Sequence, residues 1–283
     1  MEKCYVRNST AELKKVLLCP PENIAIEPID YISKRWVSNG AIANRAACLR
    51  EHEDLVQAYR ANGVEVVLAM PDCRLSNQVY ARDFGACLKE GYILGRFREP
   101  VRQGETMQYA KEMDDLGISC VAHCTEGYFE GGDFWFIDDY TLAVGLVQRT
   151  DSIGFLQIEN QLKPLGYQMI PVPCPPNNLH LDMCFNVAAE KVAVLCKEAL
   201  PDYFIRFLDQ KGFTYIEVNQ EEVFLHHCNI QALGNGRVLS FSNNKTVNKK
   251  LAALGLEVIA IDLYEILKSG GGPHCMTFPL ERR

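Results

Sequence analysis

Five stations along the chain carry side chains that could do chemistry together: Asp83, Glu130, His180 with Asp182, Cys228-Asn229, and Cys275. They recur in steps of about 47 to 50 residues, the kind of period that marks a repeated structural unit. A thiol with a nearby imidazole is a nucleophile–base pair. Free cysteine has a pKa near ~8.5 and needs help to form thiolate. One carboxylate would suffice to orient His180. Asp83, Glu130 and Asp182 supply more than that, and the surplus is best used on a cation. A planar guanidinium offers five donors in a fixed fork that carboxylates grip bidentately. Its charge beside Cys275 would favour the thiolate. Thiolate would attack the central carbon while two carboxylates hold the nitrogens. His180 would protonate the departing amine, and water deprotonated by the same His180 would hydrolyse the S-alkylthiouronium. Neither a metal nor an organic cofactor is required.

Elements at the same period must position these groups. Leu13–Cys19 reads as a strand closed by Pro20-Pro21, Glu22–Asn39 as irregular with room for helical turns, Ala41–Ala61 as a helix stopped by Asn62-Gly63, and Val64–Met70 as a strand. A hairpin, a helix and a strand then recur four times. The hairpins are Val79–Leu88 with Tyr92–Phe97, Gly132–Ile137 with Thr141–Val147, Cys184–Ala189 with Val192–Cys196, and Asn229–Leu233 with Arg237–Ser242. The helices are Thr106–Leu116, Ile153–Leu162, Asp202–Gln210 and Thr246–Leu254; the strands are Ile118–His123, Gln168–Val172, Thr214–Val218 and Glu257–Ile261. Helix Leu263–Lys268 leads to Gly270-Gly271-Gly272-Pro273-His274-Cys275. Residues 13–70, with Met276–Leu280 returning, supply a fifth module. Circular closure of such modules removes exposed sheet edges and brings equivalent positions to one axis.

Composition narrows the setting. With 283 residues and a net charge of −7, the chain can bury a substantial core and does not present a surface for nucleic acid or anionic membrane. The start, Met1-Glu-Lys-Cys-Tyr, lacks the apolar region of a signal peptide, and no apolar run approaches the ~20 residues that span a bilayer; a cytoplasmic protein is expected. Twelve cysteines without an export signal read as mostly reduced, buried, small apolar residues. Cys120–Cys124 around His123, and His226-His227-Cys228, are candidate zinc clusters that lack four ligands at recognised spacing.

Each candidate also has a plainer reading. Asp83 could be the surface ion-pair partner of Arg82, Glu130-Gly131-Gly132-Asp133 a solvated turn, and His180 a satisfied core histidine. Their shared phase in the repeat weighs against all three together. Two other classes stay open: a non-catalytic propeller that binds arginine-like metabolites or a partner, and a zinc-binding scaffold.

At these residues the chain resembles the guanidino-group-modifying superfamily: arginine and agmatine deiminases, dimethylargininases, arginine dihydrolases and amidinotransferases. The resemblance covers almost the whole chain. It rests on Arg82-Asp83-Phe84-Gly85, Glu130-Gly131-Gly132-Asp133, Gly145-Leu-Val-Gln-Arg149-Thr150, His180-Leu181-Asp182 and Gly270-Gly-Gly-Pro-His-Cys275-Met-Thr, in that order. It implies an α/β fold, a five-bladed pseudo-symmetric α/β propeller of hairpin–helix–strand modules, with residues 1–283 as a single catalytic domain. It implies Cys275 as nucleophile, His180 as general acid/base, Glu130 as the residue that binds substrate and orients His180, and Asp83 and Asp182 on the guanidinium. Arg149 sits where deiminases place an arginine on the substrate's α-carboxylate, and Arg102 is expected as a second; a surface salt bridge is the plainer reading of both. A homo-oligomer is also implied.

Among subfamilies, Asp182 stands where dimethylargininases commonly have a basic residue, which disfavours a methylated substrate. Glu130 stands where amidinotransferases tend to have aspartate. Bacterial arginine deiminases carry a helical insertion that the 46 residues between Asp83 and Glu130 cannot include. The layout looks most like the short arginine dihydrolases, which typically have asparagine at the position of Asp83. The expected reaction is therefore arginine to citrulline and ammonia. The alternatives are dihydrolysis to ornithine, dimethylargininase activity and amidino transfer.

Overall fold

The computed structural model describes residues 4–283; Met1, Glu2 and Lys3, on which part of the signal-peptide reading rests, lie outside the described residues. The chain opens with β1 (Tyr5–Val6) and β2 (Leu13–Leu18), helices α1 (Tyr31–Ser38) and α2 (Arg45–Ala61), and β3 (Glu65–Leu68). The first hairpin unit is β4 (Gly85–Cys87), β5 (Tyr92–Leu94), α3 (Gln103–Asp115) and β6 (Cys120–His123). The second is β7 (Phe134–Phe136), β8 (Thr141–Leu146), α4 (Ser152–Leu162) and β9 (Gln168–Pro173). The third is β10 (Phe185–Ala189), β11 (Val192–Leu195), α5 (Asp202–Gln210) and β12 (Thr214–Glu217). After α6 (Gln220–Phe224) comes the fourth: β13 (Gln231–Gly234), β14 (Arg237–Phe241), α7 (Lys245–Ala253) and β15 (Glu257–Ile261). The chain ends with α8 (Tyr264–Leu267), α9 (Pro273–Met276) and β16 (Phe278–Arg282).

In each of the four units an antiparallel hairpin is joined to a parallel third strand, so the sheets run β4-β5-β6, β7-β8-β9, β10-β11-β12 and β13-β14-β15. The helix between second and third strand is the crossover that parallel pairing demands. The fifth sheet, β1-β16-β2-β3, repeats the pattern with strands from both ends of the chain. Here β16 pairs antiparallel with β2 and β2 parallel with β3. The C-terminal strand thus occupies the first-strand position of the fifth blade and closes the ring. The first strands are buried along their length: Gly85–Cys87, Phe134–Phe136 and nearly all of Phe185–Ala189. Strands packed on both faces read as continuous apolar runs rather than alternating ones.

Two local expectations change. Glu22–Asn39 holds a helix, α1, started by a reciprocal capping box between Asp30 and Ser33. Eight residues make barely two turns, too short a window for their amphipathic pattern to stand out, so the cap is the signal. The hairpin strands also begin later than expected: Gly85 rather than Val79, Phe134 rather than Gly132, Phe278 rather than Met276. The displaced residues lie in single turns, 3-10 turns at Ala81–Phe84 and Gly131–Asp133 and α9 in the last blade, and a matching 3-10 turn at Leu181–Met183 precedes the third hairpin. These turns carry the candidate site residues. Phe84, stacked on Tyr109 at 4.3 Å and on Phe278 at 4.0 Å between ring centres, locks the first of them to the closing strand.

All twelve cysteines are free thiols and nine of them are buried, as small apolar residues would be. Among the described residues, no helix is long and apolar enough to cross a membrane.

Candidate active site

Glycine lets the turns crowd together at the axis. A Cβ on Gly132 would lie 2.6 Å from His180 Nδ1 and 2.9 Å from Asp83 Oδ1, so only a bare backbone allows those two side chains to approach. A Cβ on Gly271 would meet the Tyr80 ring at 2.5 Å and Cys275 Cβ at 2.8 Å. Close approach, rather than flexibility, is what the glycine-rich run before Cys275 provides.

The structure brings Asp83, Glu130, His180, Asp182 and Cys275 together, all buried. Cys275 Sγ lies 3.2 Å from Asp182 Oδ2 and accepts from Asn229 Nδ2 at 3.0 Å. Asn229 Oδ1 in turn accepts from the amide of His274 at 3.0 Å. His274 Nδ1 is 2.8 Å from Asp182 Oδ2, and its ring stacks on Trp135 at 4.4 Å. His180 Nε2 is 2.9 Å from Glu130 Oε2, and Glu130 Oε1 accepts the amide of Arg98 at 3.0 Å. Asp133, the last residue of the Glu130 motif, accepts from the amide of Leu181 at 2.9 Å and from Thr150 Oγ1 at 2.6 Å. It thereby fixes the His180 turn to the second blade.

Several of the plainer readings fail on burial. Arg82 and Asp83 are both buried, and Asp83 pairs with Arg102 rather than with Arg82. Arg149 is 1 % exposed and does not serve a surface salt bridge. Its Nη1 stands 3.6 Å from Glu130 Oε2 and its Nε 3.7 Å from Glu99 Oε1. Arg102, expected as a second arginine for a substrate carboxylate, is committed elsewhere. It grips Glu105 with two donors, at 3.0 and 2.8 Å, and reaches Asp83 Oδ2 at 2.5 Å. Its remaining contacts are the carbonyls of Asn77 and Tyr80. A guanidinium with its fork filled by buried carboxylates has little left for a ligand.

The electrostatics follow from burial against pairing. Burial pushes the Cys275 thiol well above its ordinary pKa, and Asp182 and Asp83 push it further; the empty site holds a neutral thiol. Burial would lower His180, but Asp83, Asp133 and Glu130 together outweigh it and raise the imidazole to about 10. Burial raises Glu130, and Arg149 and His180 more than reverse this, holding it well below the usual carboxylate range. Asp182 is likewise held low, burial being overcome by the hydrogen bond from His274. His274 itself is lowered to about 4 by burial and by Arg82, so it donates to Asp182 as a neutral ring. Burial raises Asp83, with His180 and Arg102 opposing.

A narrow cavity adjoins these groups, with Asp83, Arg102, Arg149 and Cys275 in its wall. Buried polar atoms without a hydrogen-bond partner include Asp83 Oδ1, Asp182 Oδ1, His180 Nδ1, and Arg149 Nε and Nη1. Orphaned polar atoms in a native site mark what a ligand is to satisfy. Among the described residues, the ligand-type atoms that converge are those of Asp83, Glu130 and His180, within 4.8 Å of one another. That group could hold a cation, organic or metallic; the Cys120–Cys124 and His226-His227-Cys228 clusters do not form such a group among the described residues. Sequence reasoning assigned no role to Asn229, His274, Glu105 or Asp133. For Asn229 the repeat phase is a signal, since it stands 47 residues after Asp182 and 46 before Cys275.

Comparison with known proteins agrees with this geometry. The family model described as N,N dimethylarginine dimethylhydrolase, eukaryotic, matches residues 20–282. An uncharacterized protein of Bacillus subtilis is 35 % identical over 280 residues, covering 99 % of this chain and 96 % of that one. The N(G),N(G)-dimethylarginine dimethylaminohydrolase of Mycobacterium tuberculosis is 26 % identical, covering 96 % and 87 %. Among solved structures, the product-bound N-terminal domain of ArgZ, an arginine dihydrolase from cyanobacteria, superposes with a TM-score of 0.84 at 22 % identity, over 96 % of this chain and 98 % of that one. The dimethylarginine dimethylaminohydrolase of Pseudomonas aeruginosa complexed with citrulline gives a TM-score of 0.79 at 22 % identity, over 95 % and 99 %. The five-bladed α/β propeller is the fold these proteins share, and the chain belongs to the dimethylarginine dimethylhydrolase family within the guanidino-group-modifying enzyme superfamily.

Proposed function

We propose that this chain is a single catalytic domain that hydrolyses arginine to citrulline and ammonia through a covalent intermediate on Cys275. One observation carries the reading: besides His180 Nδ1, which faces the reacting nitrogen, the orphaned atoms of the buried site are acceptors on Asp83 and Asp182 and donors on Arg149. A ligand that satisfies all of them has a guanidinium at one end and an anion at the other. The guanidinium donates to Asp83 and Asp182, which orients its carbon toward Cys275; Arg149 takes the α-carboxylate. Arg102 holds Asp83 in place from beneath, with Glu105 as its counter-ion.

The substrate's charge starts the reaction. The guanidinium between Asp83 and Asp182 offsets the two charges that keep the thiol protonated, and the thiol proton leaves to solvent. Thiolate adds to the guanidinium carbon. The tetrahedral adduct expels ammonia as His180 gives its proton to the leaving nitrogen, and an S-alkylthiouronium remains. Neutral His180, anchored through Nε2 by Glu130, takes a proton from water, and the hydroxide adds to the same carbon. Collapse breaks the C–S bond, restores the thiolate and releases citrulline, the proton of the added hydroxyl leaving to solvent.

The choice of arginine rests on hydrogen-bond counting. A dimethylated nitrogen has no N–H to give, so one buried carboxylate oxygen would stay unpaired. Sites built to bond a substrate donor reject analogues that lack it by ~10⁴ or more. The second reading is dimethylarginine hydrolysis, favoured by the family model itself. The test is kcat/KM for arginine, asymmetric dimethylarginine and agmatine, with mass analysis of the arginine product. Citrulline from arginine, and loss of turnover in Cys275→Ala, are expected. Dominant turnover of dimethylarginine would favour the second reading, ornithine would establish dihydrolysis, and full turnover by Cys275→Ala would overturn the mechanism.

A further inference from the structure

A second cavity, of about 30 Å³, lies along the axis of the ring and shares no lining residue with the substrate cavity. The first strand of each of the five blades contributes to its wall, through Ala86, Phe134, Asn186, Gln231 and Pro279 among others. Its charged residues are Arg82 and Arg282; no aspartate or glutamate lines it. Both arginines are buried, and among the described residues neither has a carboxylate within ion-pair distance. Arg82 makes two long bonds, Nε to the His274 carbonyl at 3.5 Å and Nη2 to Gln231 Oε1 at 3.4 Å. Arg282 donates to the carbonyls of Ala11 at 2.7 Å and Ala232 at 2.6 Å. A guanidinium has five donors, so most N–H groups of the pair are unused by protein acceptors.

Buried charge without a counter-ion is costly, and carbonyl dipoles repay it only in part. Burial takes Arg82 down to about 10 against the pull of the more distant Asp182, and burial with the repulsion of Arg82 takes Arg282 down to about 9. Both still carry their charge at neutral pH. A further donor lines the same wall: the indole of Trp135, whose Nε1 is buried and has no partner. Asn186 Oδ1, an acceptor without a partner, would take a water beside such a ligand.

We propose that this axial cavity binds a small monovalent inorganic anion, such as chloride, between Arg82 and Arg282. The wall includes His274, which bonds Asp182 and precedes Cys275 in the chain. Arg82 depresses His274 directly, so the anion would relieve that field just behind the reacting thiol. The site stands independently of which guanidino compound is the substrate.

Two measurements test it. Wild-type crystals grown with bromide as the halide should show an anomalous peak in the axial cavity touching both guanidinium groups; water there, or no peak, overturns the proposal. In solution, replacing gluconate by chloride at constant ionic strength should raise the unfolding temperature by a few degrees and saturate, as expected for a ligand that binds only the folded state. The rise should vanish in Arg282→Met and persist in Arg149→Leu. A rise that persists in Arg282→Met but vanishes in Arg149→Leu would place the anion in the substrate cavity and overturn the proposal. Absence of any rise in the wild type, where folding of the variants is not at issue, overturns it as well.

Discussion

Asp182 has two opposed effects on the same thiol, and that opposition makes Asp182→Asn informative. In the empty site its carboxylate stands 3.2 Å from Sγ and disfavours the thiolate. At an effective dielectric of ~20, a unit charge at that distance is worth about 5 kcal/mol. Relaxation and the neighbouring cations leave roughly half, about 2.5 kcal/mol, or close to a hundredfold in thiolate population. The same carboxylate should recruit a cationic ligand to the sulfur. Two alkylating agents with one leaving group, neutral chloroacetamide and cationic chloroacetamidine, separate these effects. With wild-type protein at neutral pH the cation should modify Cys275 at least ~100-fold faster, because it brings the compensating charge with it. In Asp182→Asn the neutral reagent should speed up by ~10- to 100-fold as the thiol pKa falls, and the cationic one should slow. The rates are read by mass of the alkylated protein against time. Equal rates for the two reagents in the wild type, or slowing of both in the variant, would refute the argument that substrate charge activates the thiol.

Other consequences are sharper in sign than in size. Gly132→Ala would place a methyl group 2.6 Å from His180 Nδ1 and 2.9 Å from Asp83 Oδ1; a loss of ~1–3 kcal/mol in denaturant unfolding, with a larger fall in kcat, is expected. Arg149→Leu should raise KM for arginine by ~10- to 100-fold while leaving agmatine, which has no carboxylate, nearly unchanged; each factor of ten is ~1.4 kcal/mol. Glu105→Gln should impair turnover although Glu105 touches no substrate, because Arg102 would lose one of two buried partners; kcat should fall while Cys275 alkylation by chloroacetamide is little changed. His180, raised to about 10 in the folded protein, contributes stability that is complete below its unfolded pKa of ~6.5 and is lost as pH rises through 10. The stability difference between wild type and His180→Asn should therefore shrink from pH ~6.5 to 10, and a difference that stays flat would contradict the imidazolium assignment.

The ring was readable before the coordinates because its repeat unit has strong local signals. Helices such as Asp202–Gln210 and strands such as Glu257–Ile261 stand where the pattern placed them. The fifth blade was inferred from what remained at both ends, and β16 fills it. The sequence pattern runs Asp83 and Asp133 into the strands after them, since a single 3-10 turn is too short to show a period of its own. Arg102 shows a different limit. Sequence adjacency gives its neighbourhood, but only the fold sets Glu105 one turn away on the same buried side, where the pair satisfies itself. His274 lies beside Cys275 in a motif whose glycines and nucleophile attract the attention. Its bond to Asp182, 92 positions away, is a property of the closed ring and has no local signature.

That ring also explains why so much unbalanced charge is tolerated in one place. Asp133 of the second blade accepts the amide of Leu181 in the third. Asp182 of the third accepts from Asn229 at the entry to the fourth, at 3.3 Å. Asn229 accepts the amides of His274 and Cys275, which lead into the fifth, at 3.0 and 3.4 Å. Asp83 of the first faces His180 of the third at 3.7 Å. Asp133 and Asp182 are thus each held by a donor from the next module, whereas Asp83 and Glu105 are paired with Arg102 of their own. Desolvated carboxylates persist only where fixed donors meet them, and for Asp133, Asp182 and Glu130 those donors include inter-blade contacts. The bonds that prepare the site to receive a guanidinium are therefore the same bonds that register one blade against the next.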